Sequence, residues 1–251
     1  MIRFPFGRPV SPCPPSADGP RPVFVLGAYP SALHVRWVPP RPYKPIAALG
    51  VDNEPTPFWD GADQEARVAK WKVEVGWNPA WGEVTAVGKL NGPSGAWVSE
   101  QLLRPLGVAR SDAWITDCLD TYRASTGAEA RLADTYRPFA HAFGLPLDAL
   151  RTHPSEADIV AEALAEHRDR LLRELAASRA EVVVTLGNAA LRVLAALGKG
   201  DAPRKLAVEG YGRRLQIRIG DRELDWLPLA HPAAPQVYQA AHAAWCKGGP
   251  R

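Results

Sequence analysis

The sequence predicts an α/β protein, a three-layer α/β/α sandwich on a central, mainly parallel four-stranded sheet. Two observations predict it. Four short apolar runs, at 22–27, 113–116, 182–187 and 225–230, are rich in Val, Ile, Leu and aromatic residues and end in loops, as strands buried on both faces do. Between them lie stretches with apolar residues at helical spacing, and strands alternating with helices imply parallel pairing with helices on both faces. A chain of 251 residues suits one domain with insertions better than two.

The elements follow in order. Residues 1–22 hold seven prolines and no periodicity, which predicts an extended arm on the surface or disordered. The first strand, 22–27, ends in Gly27. From about 38 to 93 the chain is dense in Pro, Gly and Trp and reads as an irregular insertion within a single domain spanning 23–251. Helical spacing returns at 94–106, where Trp97, Val98, Leu102, Leu103 and Leu106 recur and Gly107 suits a C-cap. The second strand is 113–116, and helical patterning resumes at 129–143. One long helix is expected from about 156 to 178, with Ser155 as N-cap and Asp158 in its first turn. The third strand, 182–187, leads into a helix capped by Asn188 and ending near Gly198. Residues 205–224 alternate like a hairpin with a turn at Gly220-Asp221. The fourth strand runs into His231-Pro232, and a last helix covers about 234–246.

Composition narrows the function classes. With 46% hydrophobic and 23% charged residues the chain has material for a core. No run reaches the roughly eighteen apolar residues of a membrane span, and no signal-peptide layout opens the chain, so a cytoplasmic monomer with no membrane partner is expected. The three cysteines, Cys13, Cys118 and Cys246, form neither a disulfide framework nor a CxxC pair. They cannot supply the four ligands of an iron–sulfur cluster, and neither a metal nor a cofactor is expected. A net charge of +3 permits a nucleic-acid partner without requiring one. Trp59, Trp71, Trp77 and Trp81 crowd the insertion; they form either a satellite core or an aromatic wall for a flat ligand.

Four loops lie at the carboxyl ends of the strands, where α/β sheets bind ligands. Gly27-Ala28-Tyr29-Pro30-Ser31 is stiffened by its proline. Asp117 stands at the tip of the second strand. Gly187-Asn188 opens a helix whose N-terminal amides suit an anion. His231-Pro232 ends the fourth strand. His153-Pro154-Ser155 has a similar dipeptide, but no strand precedes it and Ser155 is explained as a helix cap, so it is set aside.

In this order and spacing, the Gly27–Ser31 loop, Asp117, Val182 to Ala190, and His231 to Ala233 resemble the uracil-DNA glycosylase superfamily over about 23–240. Pro57-Phe58 and Gly92-Pro93-Ser94-Gly95 resemble its iron–sulfur members. The resemblance implies a DNA partner and hydrolysis of the N-glycosidic bond of a flipped nucleotide. It implies that His231 donates to the departing base, that Tyr29 and Phe58 contact the base, and that Phe58 stacks on it. Ser31, Ser94, Gly187 and Asn188 would hold phosphates. Pro232 and the stretch 235–238, with Gln236, would meet the DNA.

Three departures sharpen this expectation. The cluster cysteines are missing. Ala28 and Tyr29 stand where the family has a water-positioning polar residue; a substitute comes from Asp52, Glu54 or Asp60, or those acids are plain loop residues. Asp117 stands where uracil readers carry an amide. An ionised carboxylate only accepts hydrogen bonds, which suits a base with an exocyclic amine, and burial would protonate it into a group that also donates. Alternatively Asp117 caps a turn and Cys118 or a neighbour meets the base. Two other classes remain open: a catalytically inactive nucleic-acid-binding relative, and a hydrolase of small nucleotides. Dinucleotide and P-loop motifs are missing, and no metal-ligand spacing is evident.

Overall fold

The computed structural model describes residues 1–200 and 202–248. Its centre is a five-stranded mixed sheet of order β5-β1-β6-β8-β7, formed by β1 (Val23–Gly27), β5 (Ala113–Asp117), β6 (Val182–Leu186), β7 (Leu215–Ile219) and β8 (Arg222–Leu229). The contacts β5–β1, β1–β6 and β6–β8 are parallel, and β7 joins the edge antiparallel. The sheet therefore has five strands, not four. The hairpin read at 205–224 has its turn at Gly220-Asp221, but its second arm is continuous with the strand leading to His231.

Alternation along the strands divides their side chains between two clusters. Phe24, Leu26, Trp114, Val183 and Trp226 pack with residues of α5 (Glu156–Glu166), α6 (Arg168–Ser178) and α7 (Gly187–Leu197). Val25, Ile115, Val184 and Leu227 pack with Val98, Leu102 and Leu103 and with Trp245 of α8 (Gln236–Gly248). Every residue of β1 is buried, as a central parallel strand requires.

The insertion is ordered rather than irregular. Its β3 (Ile46–Asn53) and β4 (Glu83–Ala86) pair with β2 (Ala32–Val38), just before it, in a three-stranded antiparallel sheet of order β3-β2-β4, with α1 (Gln64–Glu74) beside it. The period-two signal is in β2, where Leu33, Val35 and Trp37 are buried and His34 and Arg36 point the other way. It is short and flanked by prolines, which masks it. Under this sheet lies a second core. Trp71, Trp77 and Trp81 surround Phe6 at centroid distances of 4.9–5.8 Å, so these tryptophans form a satellite core.

That core corrects the reading of the N-terminal arm. Phe4 and Phe6 are 1% and 4% exposed, and the Phe6 N–H donates to Tyr136 Oη at 2.7 Å. Prolines rule out regular structure there without ruling out burial of the aromatics between them.

Helix boundaries also differ. The helix read at 94–106 is α2 (Pro93–Trp97) continued by a π-helix over Val98–Leu103. Residues 126–143 form α3 (Thr126–Arg131), a π-turn and α4 (Arg137–Phe143). The single helix expected at 156–178 is two, α5 and α6, broken at His167. Ser155 caps α5 in a reciprocal box with Asp158. Asn188 is not a cap: β6 runs straight into α7, and the Asn188 Oδ1 accepts the Leu206 N–H at 2.8 Å instead.

Candidate functional site

The parallel strands β5, β1, β6 and β8 end together, and their exits meet the β2–β3 sheet across one cavity of about 470 Å³. Tyr29, Ser31, Glu54, Phe58, Ser94, Asp117, Gly187, Asn188 and His231 all line it. These residues come from six stretches of chain, so the fold alone brings them together.

Asp117 sits at the tip of β5, opposite Gly27 of β1. It is 3% exposed, and neither carboxylate oxygen has a hydrogen-bond partner among the described residues. Burial, reinforced by Glu54, holds its pKa well above the ordinary value. Arg170 lies behind it but donates to the backbone oxygens of Asp117 and Cys118, each at 2.8 Å, and to Glu174. In its protonated form, which burial favours, the carboxyl group both donates and accepts, and the residue lines the cavity. Cys118, fully buried behind it, does not line the cavity.

Phe58 is held beside Asp117 in a left-handed backbone conformation (φ 54°) that a bulky L-residue seldom adopts. Arg110 fixes it by donating to the Phe58 carbonyl and, at 3.3 Å, to that of Gly95. Gly95 has no room for a side chain, since a Cβ would lie 2.0 Å from the Phe58 carbonyl oxygen. The ring faces that of His231 at 6.2 Å between centroids.

His231 follows β8. Its Nδ1 accepts the Ala233 N–H at 3.1 Å, so in the neutral ring the proton resides on Nε2. Burial lowers its pKa below the usual histidine value, favouring that neutral donor. The preceding residue is anchored as well. His242 Nε2 donates to the Gln101 carbonyl at 2.9 Å, and its Nδ1 accepts the Tyr211 hydroxyl at 2.9 Å. The Tyr211 oxygen in turn accepts the Ala230 N–H at 3.0 Å.

Glu54, just past the end of β3, is 5% exposed and accepts the Ser31 N–H at 2.9 Å. Burial pushes its pKa up to about 7, against the pull of nearby backbone amides. Asp52 lies elsewhere. It pairs with Arg8 at 3.2 Å on a separate cleft with Glu74, because the chain leaves the strand between the two acids. Asp60 accepts the Ala62 N–H in its own loop and does not line the cavity. Of the three candidate acids, Glu54 alone enters it.

The remaining predicted contacts divide similarly. Ser31 is exposed and Ser94 half-buried at the rim, beside the start of α2, while Gly187 (φ 87°) begins α7 against His231. Asn188 lines the cavity, yet its side chain is engaged by Leu206 and Glu156. Pro232 opens onto a neighbouring cleft shared with His231, Trp97 and Tyr238. Gln236 is exposed at the start of α8, next to Val237, which is 54% exposed.

His153, set aside on sequence context, belongs to this cavity. The bridge between Ala124 and Thr152 carries its segment to the rim, and its Nδ1 is hydrogen-bonded to the Tyr29 hydroxyl. That bridge is a long-range pairing with no local sequence signal. His34, Tyr122, Arg123 and Arg131 also line the cavity without having been singled out by motif. Outside it, Glu162, Glu166 and His167 offer ligand atoms within 4.8 Å of one another, a grouping that sequence spacing had not suggested. Glu162 is already neutralised by Arg123 and Arg151, and His167 faces Asp120.

No helix among the described residues is long and apolar enough to cross a membrane. No protein-family model matches the sequence, and no curated protein matches it.

Proposed function

We propose that this protein is a DNA glycosylase of the uracil-DNA glycosylase type, acting on an amino-bearing or otherwise modified base. The observation that carries the reading is the convergence of Asp117, Phe58, Glu54 and a neutral His231 on one cavity at the carboxyl ends of the parallel strands. The same reading takes the central sheet and its flanking helices as a three-layer α/β/α sandwich, supported by the two apolar clusters on either side of β1.

The chemistry follows from the groups present. A flipped base stacks on Phe58 and sets its amino edge against Asp117, whose protonated carboxyl accepts from the amine and donates to a ring nitrogen. As the bond from anomeric carbon to base nitrogen breaks, its electron pair moves onto the base. The His231 Nε2–H donates to the oxygen where that charge collects, and being neutral it gives a hydrogen bond without first having to be charged. Water adds to the anomeric carbon and gives up its proton to Glu54, whose pKa near 7 suits a general base at neutral pH. The products are the free base and an abasic sugar bearing the new hydroxyl. Ser31, Ser94 and the amides of Gly187 and Asn188 would receive phosphates at the rim, with the exposed Val237 at the start of α8 as a wedge into the duplex.

The test is release of base from DNA carrying uracil, hypoxanthine or modified cytosines, read as alkali cleavage at the abasic site. His231→Ala is expected to slow release by about 10²–10⁴-fold while DNA binding persists. Binding without release from any substrate would identify an inactive relative. Release indifferent to His231→Ala would overturn the assignment of His231.

A further inference from the structure

The hydrogen-bond chain that ends at Ala230 begins with a proline. Pro105 has no N–H, so the Gln101 carbonyl, one turn earlier, lacks its usual helical partner. Gln101 lies in the π-helical stretch Val98–Leu103, and its carbonyl accepts instead from α8: the His242 Nε2–H at 2.9 Å and the Cys246 thiol at 3.3 Å. A carbonyl can only accept, which sets the direction of every later bond. Burial favours a neutral His242 ring, so with its proton on Nε2 the Nδ1 accepts the Tyr211 hydroxyl. The Tyr211 oxygen is then left to accept the Ala230 N–H.

We propose that Tyr211 and His242 are positioning residues for His231, holding its ring at the angle from which Nε2–H reaches the departing base. The inference rests on the base-excision reading and extends its machinery to two residues that do not line the main cavity. Ala230 is the first residue past β8 and is buried, and the Tyr211 oxygen gives its N–H the partner a buried amide requires. His231 comes next and is held from its other side too. Its carbonyl accepts the Ala234 N–H at 2.8 Å, and a Cβ on Gly187 would lie 3.4 Å from its own Cβ. A shift of the Ala230 backbone therefore passes directly into the direction of the imidazole.

The other end of the chain is fixed as firmly. His242 is 4% exposed and lies between Trp97 and Trp245, at 4.5 and 5.1 Å between ring centroids. His242, Trp97, Gln101 and His231 also share a second cleft of about 290 Å³, so the anchor and the catalytic loop form one wall. Packing α8 against the sheet needs only the rings. The Tyr211 hydroxyl adds one further thing, a partner for the amide that precedes His231.

Tyr211→Phe removes the oxygen and keeps the ring. In single turnovers on a duplex whose base the wild type releases, the variant is expected to be slower by about tenfold to 10²-fold, since small displacements at a reacting centre are amplified in rate. Affinity for the duplex is expected to stay the same. The deciding measurement is the same substitution in a His231→Ala background. A residue that acts through His231 has nothing left to position there, so the loss is expected to vanish. An equal fold-loss in both backgrounds, or no loss in either, would make Tyr211 a structural brace and overturn the proposal while leaving base excision standing. His242→Gln, which keeps a donor and an acceptor, is expected to retain more of the rate than His242→Leu; equal loss in the two would remove His242 from the proposal. Should no duplex release a base, base excision falls, and NMR of the His231 ring nitrogens in protein with isotope-labelled histidine decides the positioning link. Signals of His231 that move in Tyr211→Phe would uphold it, and unmoved signals would end it.

Discussion

Gly27 and Asp117 are register partners in the parallel β1–β5 pair, and the Asp117 carboxylate occupies the space a side chain on Gly27 would need. A Cβ there would lie 2.1 Å from Asp117 Oδ1 and 2.4 Å from the edge of the Phe58 ring. The missing side chain is what lets an acid and an aromatic ring share the tip of the sheet.

Gly27→Ala is therefore expected to displace both groups at once. Overpacking of this kind destabilises by about 1–3 kcal/mol, which lowers the melting temperature without unfolding the protein. Base release is expected to fall further than stability does, by about 10²-fold, since small displacements at a reacting centre are amplified in rate. A variant with wild-type rates would show that Phe58 and Asp117 do not need this close approach.

Glu54 links stability and activity with opposite signs. Its pKa rises from an ordinary 4.5 to about 7 in the folded protein, so the native state holds the proton more tightly than the unfolded chain. The resulting stabilisation is fully present below pH 4.5 and is lost as pH rises towards 7, on the order of 3 kcal/mol in all. Glu54→Gln keeps an acceptor for the Ser31 N–H and cannot ionise. It should melt higher than wild type at pH 8, with little difference at pH 4.5, and it should release base far more slowly. In the wild type, release should rise with pH through about 7. A flat rate profile, or an active Glu54→Gln, would remove Glu54 from the mechanism.

Asp117→Asn tests protonation of the reading residue. An amide has the shape and the donor–acceptor pair of the neutral acid, so the variant is expected to fold and to retain base contact. Because burial and Glu54 raise the Asp117 pKa, the acid, like Glu54, contributes less stability as pH rises. The amide should therefore gain in relative melting temperature towards alkaline pH. Its base preference should stay that of the wild type; a move towards bases that present a carbonyl where the amine stood would mean that Asp117 reads the base as a carboxylate. Efficient uracil release by the wild type, unaffected by Asp117→Ala, would refute the role.

Why some of this is legible in sequence and some is not has a physical basis. The strands that end at Gly27, Asp117, Leu186 and Leu229 are short, apolar towards that end and bounded, and each carries its loop to the same edge whatever the helices between them do. That is how residues remote in sequence could be assigned to one place. The fifth strand escaped the count because its hairpin partner, β8, is one continuous strand reaching His231. The second sheet escaped because β2 and β3 are interrupted by polar residues and Gly50; of these, His34 lines the cavity. His153 escaped because Ala124 and Thr152 meet by a pairing that no local pattern encodes. Glu54 and Asp52 were equivalent as letters, and only the end of β3 separates the buried acid from the one paired with Arg8.

The N-terminal arm is the clearest test of burial that composition hides. Phe6 is 4% exposed and is ringed by Trp37, Trp71, Trp77, Trp81 and Tyr136. It also takes a left-handed backbone (φ 66°), which an L-residue adopts only when its surroundings hold it there. Its N–H donates to Tyr136, whose hydroxyl donates to the Pro146 carbonyl at 3.2 Å, so the arm bridges the β2–β3 sheet and the π-turn before α4. Phe6→Ala is expected to destabilise by about 3–5 kcal/mol, the range for emptying a buried aromatic site. Removing residues 1–10 should do at least as much, because Phe4 leaves with Phe6. Denaturant melts of both variants check this. The β2–β3 sheet walls the His34 end of the cavity, so Phe6→Ala should also loosen that wall, and protease cleavage is expected to begin in the 38–93 segment. An arm whose removal leaves the midpoint unchanged would mean that the satellite core holds without it.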